Sequence, residues 1–262
     1  MTKKFQNDAI VISNKQLKGD YYRICPSEPQ IASAALPGQF IHLQVPNLPH
    51  RVLRRPFSIS DCDCEQGELS IVYKVVGEGT TQLQKLSAGE KVNILGLLGK
   101  GFSALDNEPA LLLGGGYGCA AIYYLAKKAK QPPTILLGAR NKQDIIMQED
   151  FEALGCKVLI STDDGSLGKK GLITVLLKQE LEKSAKLRVS ACGPVPMLKA
   201  VGLLCEEYAI DAELSLDSLM CCGMGACFAC VIKCKTDNEQ GWHYVRTCQD
   251  GPVFKASEIF WD

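Results

Sequence analysis

Residues 110–126 read ALLLGGGYGCAAIYYLA, and this uncharged stretch decides the fold class. Its seventeen residues lie at the lower end of the length range of a membrane-spanning helix. Three consecutive glycines near its centre disfavour a continuous helix. Glycines between an apolar strand and a helix suit a tight turn, and they let the helix pack closely against a sheet. The stretch therefore predicts a β-strand, a glycine turn and an α-helix.

The same order of strand and helix recurs along the chain from about residue 108 to residue 210. The apolar runs PALLLGG, TILLGA, KVLISTDD and KLRVSACG are each followed by a helix-forming segment. Four such units in a row predict a doubly wound parallel α/β sheet, whose ligands bind at the carboxyl ends of the strands. Each turn at that edge is also consistent with a plain tight turn, but together they favour a nucleotide. The turn residues are Gly114, Gly115, Gly116 and Gly118, then Cys192, Gly193 and Pro194, with TDDGSLGKKG at 162–171 as a third loop.

The first hundred residues have the pattern of antiparallel β-structure. Short apolar or alternating runs such as GQFIHLQV, ELSIVYKVV and EKVNILGLL are separated by Gly, Pro and Asp at close spacing. This pattern predicts a small antiparallel barrel.

Two segments of this barrel have the chemistry of a nucleotide site. In LRRPFSIS, a guanidinium followed by an aromatic ring and a hydroxyl can bind a phosphate and a flat heterocycle. In YKVVGEGTT, a glycine and two threonines lie at a predicted helix start, where free N–H groups favour a pyrophosphate. The plainer alternatives are an exposed arginine pair and an ordinary helix cap. The residues are Arg54, Arg55, Pro56, Phe57 and Ser58, and Gly79, Thr80 and Thr81.

Five of the thirteen cysteines fall within SLMCCGMGACFACVIKC, residues 218–234. The best-spaced four are Cys222, Cys227, Cys230 and Cys248. Their spacing, C-x4-C-x2-C-x17-C, is that of the plant-type [2Fe-2S] loop, and the glycines between them let the backbone wrap a cluster. Zinc is the alternative, although zinc sites favour two C-x2-C-type pairs. Cys221 and Cys234 are predicted to be spare thiols, and the odd cysteine count fits disulfide pairing poorly.

The overall composition argues against several classes of function. Lys and Arg together number 29, as do Asp and Glu, so nothing indicates nucleic acid or an anionic membrane as a partner. The N-terminus has no apolar run of signal-peptide length, and we predict a cytoplasmic protein with reduced thiols. The three histidines, His42, His50 and His243, lie outside residues 104–210, which excludes a Cys-His catalytic pair built within that segment.

Together these motifs resemble one family from end to end. RPFS, GGGYG and the strand end CGP look like the ferredoxin-NADP reductase superfamily. LRRPFSIS, TDDGSLGKKG, CGPVPMLKAV and MCCGMGACFACV with CQDGPVF resemble the electron-transfer subunits of class 1B dihydroorotate dehydrogenases. Tyr117, Cys119 and Ala120 depart from the GGGIG turn and following proline that are usual in the family.

The resemblance implies three domains and their cofactors: an FAD-binding β-barrel at 1–103, an NAD-binding α/β domain at 104–210 and a [2Fe-2S] module at 211–262. The implied FAD residues are Arg55, Pro56, Phe57, Ser58, Val72, Tyr73, Lys74, Gly79 and Thr80. The implied NAD residues are Gly114, Gly115, Gly116, Gly118, Cys192, Gly193 and Pro194. The implied cluster ligands are Cys222, Cys227, Cys230 and Cys248.

The resemblance also implies a function. Electrons would pass from an FMN-containing catalytic subunit, which oxidises dihydroorotate to orotate for pyrimidine synthesis, through the cluster and FAD to NAD+. Two subunits of each kind would form a heterotetramer, with the cysteine module facing the catalytic subunit. Hydride transfer between nicotinamide and flavin needs alignment rather than a general base, so no catalytic side chain is expected.

Two other functions stay open at this point. One is a stand-alone NAD(P)H-dependent flavin and iron-sulfur reductase that serves another acceptor protein. The other is a non-enzymatic metal module fused to a degenerate reductase. Related transhydrogenase subunits have an aspartate at the first cluster position, so Cys222 favours the dihydroorotate system.

Overall fold

Most of the first hundred residues form an antiparallel half-barrel in the computed structural model, which describes residues 4–184, 186–216 and 219–261. Its strands are β1 (Phe5–Lys18), β2 (Tyr21–Ser27), β3 (Phe40–Gln44), β4 (Arg55–Ser58), β5 (Asp61–Asp63), β6 (Glu68–Lys74) and β7 (Lys91–Leu98). Two short helices, α1 (Pro29–Ala32) and α2 (Glu78–Leu83), connect them. The strands pair antiparallel in the order β4-β3-β7-β1-β2-β6-β5, which confirms the predicted all-antiparallel architecture.

The inside of the half-barrel is filled by alternate side chains of its strands. Ile24, Ile41, Ile71 and Ile94 come from four different strands and are fully buried in one cluster. Burying such a side chain contributes about 1.5–3 kcal/mol, so these residues hold the curved sheet together. Residues of β4 and β6 line the cavity described below.

The remainder of the chain builds a second, mainly parallel sheet. Its strands are β8 (Ala110–Gly115), β9 (Thr134–Ala139), β10 (Lys157–Thr162), β11 (Lys169–Lys170), β12 (Arg188–Cys192) and β13 (Ala212–Ser215). After a separate two-stranded ribbon, β14 (Val231–Lys235) and β15 (Trp242–Arg246), the last strand is β16 (Val253–Lys255). The order across the sheet is β11-β10-β9-β8-β12-β13-β16, and β16 alone runs antiparallel to its neighbour.

Helices cover both faces of this sheet, which confirms the predicted doubly wound fold. They are α3 (Cys119–Lys128), α4 (Gln148–Ala153), α5 (Ile173–Leu181) and α6 (Val195–Glu207). The neighbouring residues Leu112 and Leu113 of β8 point to opposite faces, the first into a core with α3 and α4 and the second into a core with α5 and α6. No helix within the part of the chain that the structure describes is both long and apolar enough to cross a membrane.

The second sheet continues past residue 210, the predicted end of the α/β domain. β13 pairs with β12, and β16 pairs with β13, although both strands belong to the predicted segment 211–262. The cysteine-rich loop and the β14–β15 ribbon are thus an insertion between two strands of the sheet. The division at residues 103 and 210 stays a prediction, and residues 1–3, 185, 217–218 and 262 of the three segments lie outside the described residues.

The second helix of the α/β region is shorter than its sequence suggests. KQDIIMQEDFEALG follows β9 directly, yet α4 begins only at Gln148. The side chain of Asn141 accepts hydrogen bonds from the backbone N–H groups of Gln143 and Asp144, at 2.9 and 3.3 Å. Such an Asx turn competes with helix formation and delays the start of the helix.

Polar contacts from the half-barrel hold the loop after β9 in place. Asp144 accepts hydrogen bonds from the Tyr21 hydroxyl at 2.7 Å and from Lys74 Nζ at 2.8 Å. Arg23 pairs with Asp150 at 2.8 Å. Since Tyr21, Arg23 and Lys74 lie on β2 and β6, these contacts fix the half-barrel relative to the carboxyl edge of the second sheet.

Replacing Asp144 with Asn is expected to lower the free energy of unfolding by about 1 kcal/mol at pH 7. Hydrogen bonds from Lys74 and then from Tyr21 hold the pKa of Asp144 below its usual value. A carboxyl with a lowered pKa stabilises the fold above its unfolded-state pKa of about 3.9, and this contribution is lost as the pH falls through the folded-state pKa. The difference between wild type and variant should therefore shrink in acid, as measured by urea unfolding at pH 7 and about pH 3.

The matched control is Glu149→Gln, which removes a charge from an exposed side chain of the same segment. It should change the unfolding free energy little at either pH. An Asp144→Asn effect of the same size at both pH values would contradict the ion-pair explanation.

Candidate functional site

Many of the predicted site residues line one cavity of about 230 Å³. From the predicted set they are Arg55, Pro56, Phe57, Ser58, Val72, Tyr73, Lys74, Thr80, Gly118 and Cys192. The other lining residues are Phe40, Val76, Tyr117, Ala120, Ser215, Met220 and Pro252. The half-barrel, the second sheet and the cysteine-rich segment all contribute lining residues to this cavity. This volume is below the ~300–1,000 Å³ of pockets for drug-sized ligands, so the cavity fits a flat ring system rather than a whole dinucleotide.

The positively charged side chain of Arg55 lines this cavity. Its Nη1 donates to the backbone carbonyl of Leu53 at 2.6 Å, and among the described residues no carboxylate forms an ion pair with it. A Cβ atom added to Gly79 would lie 3.2 Å from Arg55 Nε, so the glycine at the start of α2 lets the guanidinium pack against the helix. This arrangement suits an anion such as a phosphate.

Arg54, the other arginine of LRRPFSIS, has a different surrounding. It donates to the backbone carbonyl and the side-chain oxygen of Asn93, on the far side of β3. Burial lowers the pKa of its guanidinium from the ordinary value. The two predicted arginines therefore have different contacts: Arg54 binds Asn93, and Arg55 lines the cavity.

Two aromatic rings form an apolar wall of the cavity. Phe57 and Tyr73 lie with ring centroids 6.0 Å apart at an interplanar angle of 59°. The Tyr73 hydroxyl donates to Asn14 Oδ1 at 3.0 Å, and burial raises its pKa, so the phenol keeps its proton. Phe57 and Tyr73 can contact a planar ligand but have no acid or base to offer at neutral pH.

Thr80 has a local structural role in addition to lining the cavity. Its hydroxyl accepts hydrogen bonds from the backbone N–H groups of Val76 and Gly77, at 2.9 and 3.2 Å, and donates to the Gly77 carbonyl. The side chain therefore fixes the turn before α2. Any pyrophosphate at this turn would meet backbone groups and Arg55 rather than a free threonine hydroxyl.

The two predicted glycine turns meet at the carboxyl ends of the adjacent strands β8 and β12. A Cβ atom on Gly118 would lie 2.4 Å from the Cys192 carbonyl oxygen and 2.8 Å from the Gly193 nitrogen. A Cβ atom on Gly115 would lie 2.5 Å from the sulfur of Met197, at the start of α6. Glycine is needed here for close backbone contact, so these residues shape the wall of the cavity at the edge where open α/β sheets bind ligands.

We expect Gly118→Ala to lower the free energy of unfolding by about 2–3 kcal/mol, because the new methyl group would meet the rigid backbone of Cys192. The control is Gly116→Ala two residues earlier, where a Cβ atom would lie in open space and only the positive φ of 55° opposes it. That variant should lower the free energy of unfolding by about 1 kcal/mol. Urea unfolding of both variants tests the idea, and an equal loss in the two would contradict it.

The four predicted cluster cysteines form two pairs. The Cys222 thiol is hydrogen-bonded to the Cys227 side chain, as is the thiol of the neighbouring Cys221, and the Cys248 thiol is hydrogen-bonded to that of Cys230. Cys230 and Cys248 are buried together with Phe40, Leu98 and Met220, whereas Cys227 is exposed. The loop thus has one pair beneath the half-barrel and one pair toward the surface.

Backbone N–H groups surround the first cysteine of the loop. Burial opposes ionisation of Cys222, but hydrogen bonds from the backbone of Met224, Cys227 and Ala226 outweigh it and lower the pKa of the thiol to about 6. The N–H of Met224 lies 3.4 Å from the Cys222 sulfur. Such a loop favours a thiolate, the form that binds a metal.

The contacts among these thiols are compatible with a two-iron centre. A [2Fe-2S] cluster takes two protein ligands on each of its irons, and two cysteine pairs match that requirement. The four cysteines, with the spacing C-x4-C-x2-C-x17-C, therefore fit a [2Fe-2S] cluster, whereas zinc sites favour two C-x2-C-type pairs.

Three residues beside the cysteines were not predicted from the sequence. Phe40 and His42 share one face of β3, with ring centroids 5.7 Å apart. Burial, with a smaller effect of Arg54, lowers the pKa of His42 to about 4. Arg246 donates to the Gly225 carbonyl at 3.0 Å and lies 5.3 Å over the Phe228 ring, which supports the loop. The alternation in GQFIHLQV was the available signal for Phe40 and His42, because it places both on one face.

Comparison with known proteins adds independent findings. Residues 217–260 match the family described as the iron-sulfur cluster binding domain of dihydroorotate dehydrogenase B. Residues 112–202 match the oxidoreductase NAD-binding domain. The chain is similar to proteins named dihydroorotate dehydrogenase B (NAD(+)), electron transfer subunit. One, from Fusobacterium nucleatum, is 36% identical over 96% of this chain and 97% of the relative, and one from Bacillus pumilus is 38% identical over 95% and 96%.

A solved structure shares nearly the whole architecture. It is a chain of an NADH-dependent reduced ferredoxin-NADP oxidoreductase described in connection with flavin-based electron bifurcation. It superposes with a TM-score of 0.85 at 29% identity, over 97% of this chain and 90% of that one.

Proposed function

Since the chain belongs to the family of electron transfer subunits of dihydroorotate dehydrogenase B (NAD(+)), we propose that it passes electrons from an FMN-containing catalytic subunit to NAD+. The route is a [2Fe-2S] cluster and FAD held by this chain, and the substrate oxidised by the partner is dihydroorotate, on the way to pyrimidine nucleotides. The observation that carries the proposal is the cavity at which the half-barrel, the glycine turns and the cysteine-rich segment meet. The proposal includes a cytoplasmic location, where cysteine ligands stay reduced.

On the half-barrel side, the residues proposed to hold FAD are those of β4, β6 and the turn before α2. Arg55, free of a described carboxylate, binds a phosphate, and Phe57 and Tyr73 pack against the flat ring. Val72 and Lys74 lie on the same strand as Tyr73, and Gly79 leaves room for the arginine. Bound FAD and the cluster would supply the change between two-electron hydride transfer and single-electron transfer.

On the α/β side, the two glycine turns are proposed to admit the nicotinamide. Their backbones pack so closely that Gly118 and Cys192 form a thin wall of the cavity, against which a second ring can lie. Among the described residues lining the cavity there is no histidine and no carboxylate. That lining suits a hydride transfer, for which alignment and exclusion of water matter more than an acid or base.

The cluster is proposed to be held by Cys222 and Cys227 on one iron and by Cys230 and Cys248 on the other. The support is the pairing of the thiols and the backbone N–H groups around Cys222. Phe40 lines the cavity and also packs against the buried pair, so the cysteine loop lies directly behind the proposed flavin position.

The exposed face of the cysteine loop is proposed to dock on the catalytic subunit. Leu219, Met224 and Phe228 are 84%, 48% and 60% exposed, and they belong to the same cysteine-rich segment as the exposed Cys227. Apolar side chains gathered on a surface mark interaction sites. A heterotetramer with two subunits of each kind is part of this proposal.

Chemical analysis of the anaerobically purified chain tests the cofactor assignment. We expect one FAD, two irons and two acid-labile sulfides per chain, with two irons bound by the four cysteines. Zinc without labile sulfide would contradict the cluster. Native mass spectrometry of the tagged chain isolated from its own cells tests the partner: a second, FMN-bearing chain is expected, and its absence would favour a stand-alone reductase.

A further inference from the structure

His42 is a fully buried histidine whose two ring nitrogens have no hydrogen-bond partner within the described residues. Buried polar groups are almost always paired, and an unpaired one is destabilising. The few exceptions usually have a partner that is a water, an ion or a cofactor. The position of the ring indicates which partner is missing.

The ring lies between the half-barrel and the loop that carries Cys222. Gly223, the residue directly after Cys222, approaches the imidazole so closely that a Cβ atom would lie 2.8 Å from His42 Nε2. Phe40, on the same face of β3, packs with the buried pair Cys230 and Cys248. The imidazole therefore lies against the cysteine loop directly after Cys222, and beside the ring that packs on Cys230 and Cys248.

One other unpaired side chain lies next to a predicted cluster cysteine. Within the described residues, five buried side-chain atoms have no partner, and three of them belong to His42 and Thr247. Thr247 precedes Cys248 and donates its backbone N–H to the Cys230 carbonyl at 3.0 Å. Two buried side chains that each have an unpaired polar atom, one against Gly223 and one next to Cys248, are expected around a polar group with several acceptor sulfurs.

We propose that His42 is a positioning residue for the iron-sulfur site, donating a ring N–H to a sulfur on the Cys222 side of the cluster. The inference rests on the cluster assignment proposed above. In either protonation state the ring has at least one N–H to donate. Hydrogen bonds to the sulfurs stabilise the reduced, more negative cluster and raise its reduction potential.

The test is a redox titration of the cluster, followed by electron paramagnetic resonance, in the fully loaded chain. His42→Leu keeps a similar volume without a donor, and His42→Gln keeps an N–H donor. At the wild-type midpoint, His42→Leu should lower the ratio of reduced to oxidised cluster about tenfold, or about 59 mV for a one-electron couple. His42→Gln should restore most of the loss. Leu98→Val, which changes packing beside the buried cysteines at a residue that does not line the cavity, should shift the ratio much less.

A second measurement does not depend on any variant holding its cluster. Pulsed electron paramagnetic resonance of wild type with ¹⁵N-labelled histidine should detect a weak histidine-nitrogen coupling to the reduced cluster. Absence of this coupling, or an unchanged midpoint in His42→Leu, would overturn the inference and leave the cluster assignment intact. A shift of the flavin potential in place of the cluster potential would also overturn it. A wild-type chain without any iron-sulfur signal would instead overturn the proposed function itself.

Discussion

Replacing Cys227 with serine should abolish dihydroorotate-driven reduction of NAD+ while sparing the oxidation of NADH by an artificial dye. Cys227 is the exposed member of the outer cysteine pair, so its loss removes a proposed ligand without disturbing the core. Loss of a residue that only hydrogen-bonds to a metal ligand already lowers metal affinity or activity ~10–100-fold. Loss of a ligand itself should lower them further. The dye accepts electrons from the flavin and does not need the cluster.

The matched control is Cys221→Ser in the neighbouring thiol, which the account leaves outside the cluster. It should keep iron content and both activities close to wild type. Two separate assays on the same preparations, one with dihydroorotate and partner subunit and one with dye, give the comparison. If dye reduction falls as far as the complete reaction in Cys227→Ser, the cluster is not placed between the flavin and the partner.

Replacing Arg55 with alanine is expected to weaken FAD binding strongly, so that the purified chain loses its flavin. A charge-assisted hydrogen bond contributes about 1.5–3 kcal/mol, which corresponds to about a 10–100-fold weaker affinity for each bond lost. Arg55 lines the cavity and has no described carboxylate partner, so its side chain is available to the cofactor. Flavin released on dialysis, followed by fluorescence and by FAD titration of the apoprotein, measures the change.

Arg54→Ala is the control, since it removes the adjacent guanidinium, which is bonded to Asn93 and does not line the cavity. It should retain FAD even if it is somewhat less stable. Equal loss of flavin from the two variants would mean that the arginines act through the general charge of this edge and not through a specific contact.

The alternation of strands and helices made the fold predictable from sequence. The glycine turns at Gly114–Gly118 and Cys192–Pro194 were also predictable as neighbours, because they follow strands of one parallel sheet. The start of α4 was not, since it depends on the side chain of Asn141 bonding to the backbone. The two last strands of the second sheet were missed as such, because each has fewer than five residues and lies beside a cysteine-rich insertion.

The finer features of the site depend on tertiary contacts. Spacing identified the four cysteines, but their grouping into two pairs follows from how the loop folds beneath β3. The chemistry of LRRPFSIS alone did not separate Arg54 from Arg55, although the family resemblance implied Arg55. The difference is visible in the fold, where Arg54 is bonded to Asn93 and Arg55 lines the cavity. His42 was passed over as one residue of an apolar strand, and its unpaired nitrogens are visible only once the cysteine loop is in place.

The measurement that tests the central claim most directly is dihydroorotate-dependent formation of NADH by the complex that the tagged chain brings down anaerobically from its own cells. We expect NADH formation that requires both dihydroorotate and a co-purified FMN-bearing chain. A preparation with its flavin and iron-sulfur cluster intact and its partner present, but without this activity, would contradict it.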